Sequence, residues 1–133
     1  MIKFSRFIRY WLPPIVWMAL IFYLSSRLRV SATGKFLFDF LIFKMLHIIE
    51  YAILYLLLFR AFHSINNQQL TISNKFLYPL FISILYALSD ELHQTFVPTR
   101  EGKARDVIID TAGILLMYIY IKNNIKVIKK FLY

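Results

Sequence analysis

The chain has 133 residues, of which 59% are hydrophobic and 18% aromatic, with a formal net charge of +9, a pI near 9.9 and no cysteine. A mean hydropathy of +0.60 exceeds what the core of so small a soluble domain requires, which points to an integral membrane protein. Without cysteine there are neither disulfides nor thiolate metal sites, and the positive charge lies largely in short clusters beside apolar runs, which argues against nucleic acid as a partner.

The length leaves room for one transmembrane domain over residues 1–133, read as four spans. Lys3, Arg6 and Arg9 precede the first, which runs from about 10 to 25 and ends at Ser25, Ser26 and Arg27. Pro13 and Pro14 are expected near its start, where missing amide donors cost a helix least. Val30-Ser31-Ala32 has the small residues of a signal-peptide cleavage site, but Arg27 and Arg29 intervene, so a retained helix is the preferred reading. The second span covers about 41–62, inside an apolar run from Phe36 that carries Asp39, Lys44, His47 and Glu50 in its first half. A polar turn over 65–74 leads to a third span at about 76–96 and then a fourth at about 106–122. A basic tail with Lys122, Lys126, Lys129 and Lys130 follows.

Four spans put both termini on one side. That side holds nine Lys and Arg (three before the first span, Arg60 and Lys75 in the middle loop, four in the tail), against six in the two other loops. The positive-inside rule therefore predicts cytoplasmic termini in the plasma membrane. With that topology, Ser25 and Ser26, then Lys44, His47 and Glu50, then Asp90, Glu91, His93 and Gln94, then Asp106 and Asp110 all fall in one outer layer. Polar groups at such depth are costly unless paired or functional. Helical steps place Lys44, His47, Tyr51 and Tyr55 on one stripe, Asp90, His93 and Gln94 on another, and Asp106, Asp110 and Gly113 on a third. The prediction is an all-α four-helix bundle with short loops and a polar pocket open to the outer face.

These residues also match a family pattern. Ser25-Ser26, Lys44-x-x-His47-x-x-x-Tyr51, Arg60, Asp90-Glu91-x-His93-Gln94-x-Phe96-x-Pro98-x-Arg100 and Asp106-x-x-x-Asp110-x-x-Gly113 together resemble the VanZ-like membrane proteins, over about 22–113. Three departures stand out. The related pattern has Pro-Gly-Arg where this chain has Pro98-Thr99-Arg100, so the turn is expected to differ in shape. Asn is common at the place of Asp110, and Met117 stands where a second glycine is usual. The resemblance implies a four-span envelope protein linked to glycopeptide (teicoplanin) resistance, without an established reaction.

Several functions fit the polar layer. In the favoured one, Lys44 and Arg100 hold the anionic headgroup of an envelope lipid or lipid-linked wall precursor, while Asp90, His93 and Gln94 read its hydroxyls or amides. Glu50, Tyr51, Asp106 and Asp110 complete that binding set, and susceptibility to lipid-tethered glycopeptides falls in consequence. A second reading is a membrane hydrolase or transferase in which His47 or His93 accepts a proton and Asp90 orients the imidazole. His47, Glu50, Asp90 and His93 also make a divalent metal the minority reading for a cofactor, since no His-Glu-x-x-His spacing is present. A third treats the layer as a structural clamp in which Lys44, Arg100 and Arg105 neutralise Asp90, Asp106 and Asp110. An ion or proton pathway is disfavoured because the inner half of the bundle carries few polar residues. Glu91 is expected to face outward, Glu101 and Lys103 to form a solvated pair, and Arg60 to snorkel to the surface. Tyr10, Trp11 and Trp17 are expected at the interface or against lipid.

Overall fold

A computed structural model describes residues 4–27, 31–66 and 68–132. Lys3, Arg29 and Val30, which enter the charge count and the cleavage-site reading, lie outside the described residues. Five helices follow one another: α1 (Phe4–Ser25), α2 (Phe36–His63), α3 (Ile72–Gln94), α4 (Ala104–Asn123) and α5 (Ile125–Leu132), with no strand among the described residues. Three of them, α1 to α3, are long and apolar enough to cross a membrane. The basic tail, to which no helix was assigned, forms α5, whose Ile128 and Leu132 enter the core while Val127 and Phe131 stay exposed. The spacing of these apolar residues leaves Lys126, Lys129 and Lys130 on the other face.

α2 is the central element. At 28 residues it is on the order of 40 Å long, and it packs against α1, α3 and most extensively α4. Its buried stripe is Tyr51, Leu54, Tyr55, Leu58 and Phe59, joined by Ile21 of α1, Ala87 of α3, and Ile114 and Ile121 of α4. Outside this core the helices expose large apolar side chains, among them Val16, Phe22, Phe81, Leu85, Ile108 and Leu116. An apolar exterior around a partly polar interior is the arrangement a bilayer selects.

The closest approach is between α2 and α4. A Cβ at Gly113 would collide with the carbonyl of Ile48, so only glycine lets the two backbones meet there. Cross-helix ties also use backbone carbonyls: Trp17 Nε1 donates to the Glu50 carbonyl (2.9 Å), and Tyr86 Oη to the Met18 carbonyl (2.5 Å). Trp17 thus joins α1 to α2 and packs, half-buried, against the core, and Trp11 packs edge-on against Phe62.

Other expectations need correction. α1 begins at Phe4, so Pro13 and Pro14 stand well inside it rather than in its first turn, with Pro14 buried. Arg60 does not simply snorkel: its guanidinium lies over the rings of Tyr10 (5.0 Å) and Phe131 (5.3 Å), binding α2 to α1 and α5. Tyr10 is accordingly buried rather than lipid-facing. At the same end, the buried Lys75 Nζ donates to the carbonyls of His63 and Ile65, closing the C-terminal end of α2. Before α2, Asp39 accepts hydrogen bonds from Ser31 Oγ, Thr33 Oγ1 and the Thr33 amide, which fixes the entering loop.

Candidate functional site

The end of α1, the start of α2, the end of α3 and the start of α4 meet around a cleft of about 890 Å³. Lys44, His47, Glu50, Asp90, Gln94, Arg100 and Asp106 all line it, so seven of the ten residues expected to form the site share one cavity. Tyr51 and Asp110 sit behind its wall, fully buried. His93 does not line it.

The wall is a connected set of pairs. Lys44 Nζ lies 2.6 Å from Asp106 Oδ1, and Arg105 Nε approaches the same oxygen at 3.6 Å. One turn deeper, His47 Nδ1 lies 3.2 Å from Asp110 Oδ1. These rungs repeat at about one turn on each helix, with Lys44 and His47 on α2 facing Asp106 and Asp110 on α4. Gly113, the next step on α4, brings the two stripes within reach. Asp90 on α3 accepts from Tyr51 Oη and from Gln94 Nε2, each at 3.2 Å and each at Oδ2.

The positions of Glu91 and His93 reverse the expectation. Glu91 is only 4% exposed; it accepts from the Lys103 amide (3.2 Å) and from Gln94 Nε2 (3.4 Å). His93 instead hydrogen-bonds with Ser26 Oγ (2.9 Å) and stacks on Phe22 at 4.5 Å between ring centroids. The reason is helical rotation. At about 100° per residue, Glu91 and His93 flank Asp90 and Gln94 on opposite sides, so one meets α4 and the other α1. His47, Glu50, Asp90 and His93 therefore do not form a single four-residue constellation.

The 96–103 loop closes the cleft's outer edge. Arg100 Nε donates to the Arg27 carbonyl (2.7 Å) and an Nη to the Leu24 carbonyl (3.3 Å), capping the end of α1. Its guanidinium thus ties the loop to α1 while also lining the cleft. Thr99 has φ 67°, the left-handed conformation that glycine adopts easily, so the turn keeps a glycine-type backbone despite the substitution. Gly102 is pressed against the Glu91 carbonyl, and a Cβ there would collide with it.

Sequence reasoning read Glu101 and Lys103 only as a solvated pair, named Arg105 only in the structural clamp and Arg27 only as the end of the first span, and missed Glu91 as a buried acid. Gly102, beside a run of charged loop residues, was the available signal of a close approach. At the mouth, Arg27, Lys103 and Arg105 are exposed together with Glu101, whose carboxylate pairs with Lys103 at 2.7 Å. Phe36, Leu37, Phe40, Phe43 and Leu46 supply an apolar side. Chemically the cleft offers a cationic mouth, an apolar wall and buried carboxylates.

Comparison with known proteins gives one positive result. A family model described as VanZ/LLP1 matches residues 6–128. No curated protein and no solved structure matches.

Proposed function

Since the chain belongs to the VanZ/LLP1 family, we propose that it is a four-span membrane protein whose outward cleft binds an envelope lipid or lipid-linked wall precursor. The observation that carries this reading is the amphipathic character of the cleft. Three exposed cations at the mouth suit a phosphate, the phenylalanine-rich side of α2 suits an acyl or polyprenyl chain, and Asp90 and Gln94 suit hydroxyls or amides. α4 serves as the fourth span because its charges at Asp106 and Asp110 face α2, while Ile108, Leu116 and Ile119 face outward. Lysines in the tail and Arg60 near the opposite end favour cytoplasmic termini. Sequestering such a lipid would lower susceptibility to lipid-tethered glycopeptides such as teicoplanin.

The test is binding of phosphatidylglycerol to the purified chain in detergent, measured by native mass spectrometry, beside phosphatidylcholine as control. Preferential retention of phosphatidylglycerol, reduced in Lys103→Gln/Arg105→Gln, is the expected result. Equal retention of both lipids, unchanged by the double substitution, overturns it.

One observation favours a second reading, a hydrolase or transferase: His47 lines the cleft with the fully buried Asp110 behind it, a carboxylate placed to orient an imidazole. Under that reading, lipid profiles of expressing cells show consumption of one species that stops in His47→Gln.

A further inference from the structure

We propose that His47, Glu91 and Asp110 form a binding site for a divalent transition-metal ion of the Zn²⁺ class, between α2, α3 and α4. Each helix contributes one residue, and one ligand atom from each lies within 4.8 Å of the other two. The inference is independent of the lipid reading and needs no lipid for its test.

The first argument is the state of Asp110. Four carboxylates are buried in this layer: Asp90, Glu91, Asp106 and Asp110. Asp90 accepts from Tyr51 and Gln94, Glu91 from Lys103 and Gln94, and Asp106 meets Lys44. Asp110 has a side chain with no exposure at all; neither of its oxygens accepts an aligned hydrogen bond, and its ion-pair partner is His47 at 3.2 Å. A carboxylate buried so completely, with one imidazole beside it and no aligned hydrogen bond, is costly, and a bound cation would offset that cost.

The second argument is the way His47 meets it. His47 Nδ1 and Asp110 Oδ1 are 3.2 Å apart, yet they lack the alignment a hydrogen bond requires, and Nδ1 is itself buried without a hydrogen-bond partner. Such an off-axis approach within ion-pair distance is also the arrangement that two donors around a shared cation would take. In a tetrahedral site with ligands about 2.0–2.2 Å from the metal, adjacent donor atoms sit roughly 3.3–3.6 Å apart and off each other's bond axis. The observed 3.2 Å lies just below that interval, so a small side-chain movement brings the pair to ligand spacing. The third donor, a Glu91 oxygen, needs only a side-chain adjustment, because every pair in the group is already within 4.8 Å.

The donor set selects the class of ion. Imidazole favours Zn²⁺ and its transition-metal neighbours over Mg²⁺ and Ca²⁺, which prefer oxygen ligands alone. Two carboxylates and a neutral imidazole neutralise a divalent charge, and three protein ligands leave a coordination position open. His47 also lines the cleft, so the site adjoins the space where a ligand would enter.

The experiment uses the full chain in detergent micelles, stripped with a chelator and titrated with Zn²⁺ by calorimetry, with Co²⁺ absorption as a second readout. One Zn²⁺ per chain is expected, with visible d–d bands on Co²⁺ loading. Asp110→Asn and His47→Gln should each weaken binding at least about tenfold, since even outer-shell changes at metal sites cost that much. His93→Ala, outside the site, should leave stoichiometry and affinity unchanged. A wild-type chain that binds no Zn²⁺, or binding that survives His47→Gln, overturns the proposal. If Asp110→Asn does not fold, Glu91→Gln and His47→Gln carry the same decision.

Discussion

Gly113→Ala is the substitution that tests the architecture most directly. The added Cβ would collide with the Ile48 carbonyl and crowd the Ile48 backbone carbons, and backbone cannot rotate aside as a side chain can. Overpacking of this kind costs up to about 3 kcal/mol. Alanine returns about 1 kcal/mol through its higher helix propensity, leaving a net loss near 2 kcal/mol. For a chain of this length, about 3–5 °C per kcal/mol is a reasonable interpolation, so the melting temperature should fall by roughly 6–10 °C. The same displacement pulls α4 from α2 at the Lys44–Asp106 and His47–Asp110 rungs, so phosphatidylglycerol and Zn²⁺ binding should both weaken. The assay is thermal unfolding in detergent, followed by ligand titration of the folded fraction. A melting temperature that rises would mean that propensity outweighs packing, and the close α2–α4 contact would be wrong.

Further substitutions probe the remaining parts of the site. Breaking the half-buried Lys44–Asp106 pair with Lys44→Met should destabilise the chain by about 3 kcal/mol, and Lys44→Met/Asp106→Leu should recover most of it; a double variant no better than the single refutes the coupling. Tyr51→Phe removes a buried donor to Asp90 and should cost about 1–2 kcal/mol in thermal unfolding, an unchanged melting curve counting against that bond. Thr99→Gly relieves the left-handed backbone and should stabilise by about 0.5–1 kcal/mol; a loss of stability would show that the threonine side chain outweighs its strain. Because the chain has no cysteine, Thr99→Cys and Lys126→Cys can be probed separately with a membrane-impermeant maleimide. Labelling of Thr99→Cys alone in intact cells fits the proposed topology, and labelling of Lys126→Cys alone inverts it.

Much of the helical architecture was legible in the sequence because its signals are local. Apolar runs long enough to span hydrocarbon mark the helices, and polar residues embedded in them stand out against that background. The i, i+3 and i, i+4 steps that align Lys44 with His47, and Asp106 with Asp110 and Gly113, follow from helix geometry alone. α5 escaped notice because its lysines read as a solvated tail, and only packing of Ile128 and Leu132 into the core gives that face a partner.

The rotation of α3 was a tertiary decision. Periodicity groups Asp90 with Gln94 but cannot say whether Glu91 or His93 accompanies them inward. That depends on where α1 and α4 stand: Phe22 and Ser26 draw His93 to one side, and the loop pressed down at Gly102 covers Glu91 on the other. Arg100 was visible as a cation beside the site, yet its role at the end of α1 depends on carbonyls more than seventy residues away in sequence. By itself the sequence determined roughly where the four long helices lie and which of their polar residues would resent the bilayer. The tertiary structure decided which of those polar groups meet, because helix rotation and loop closure are set by contacts between segments that no local pattern records.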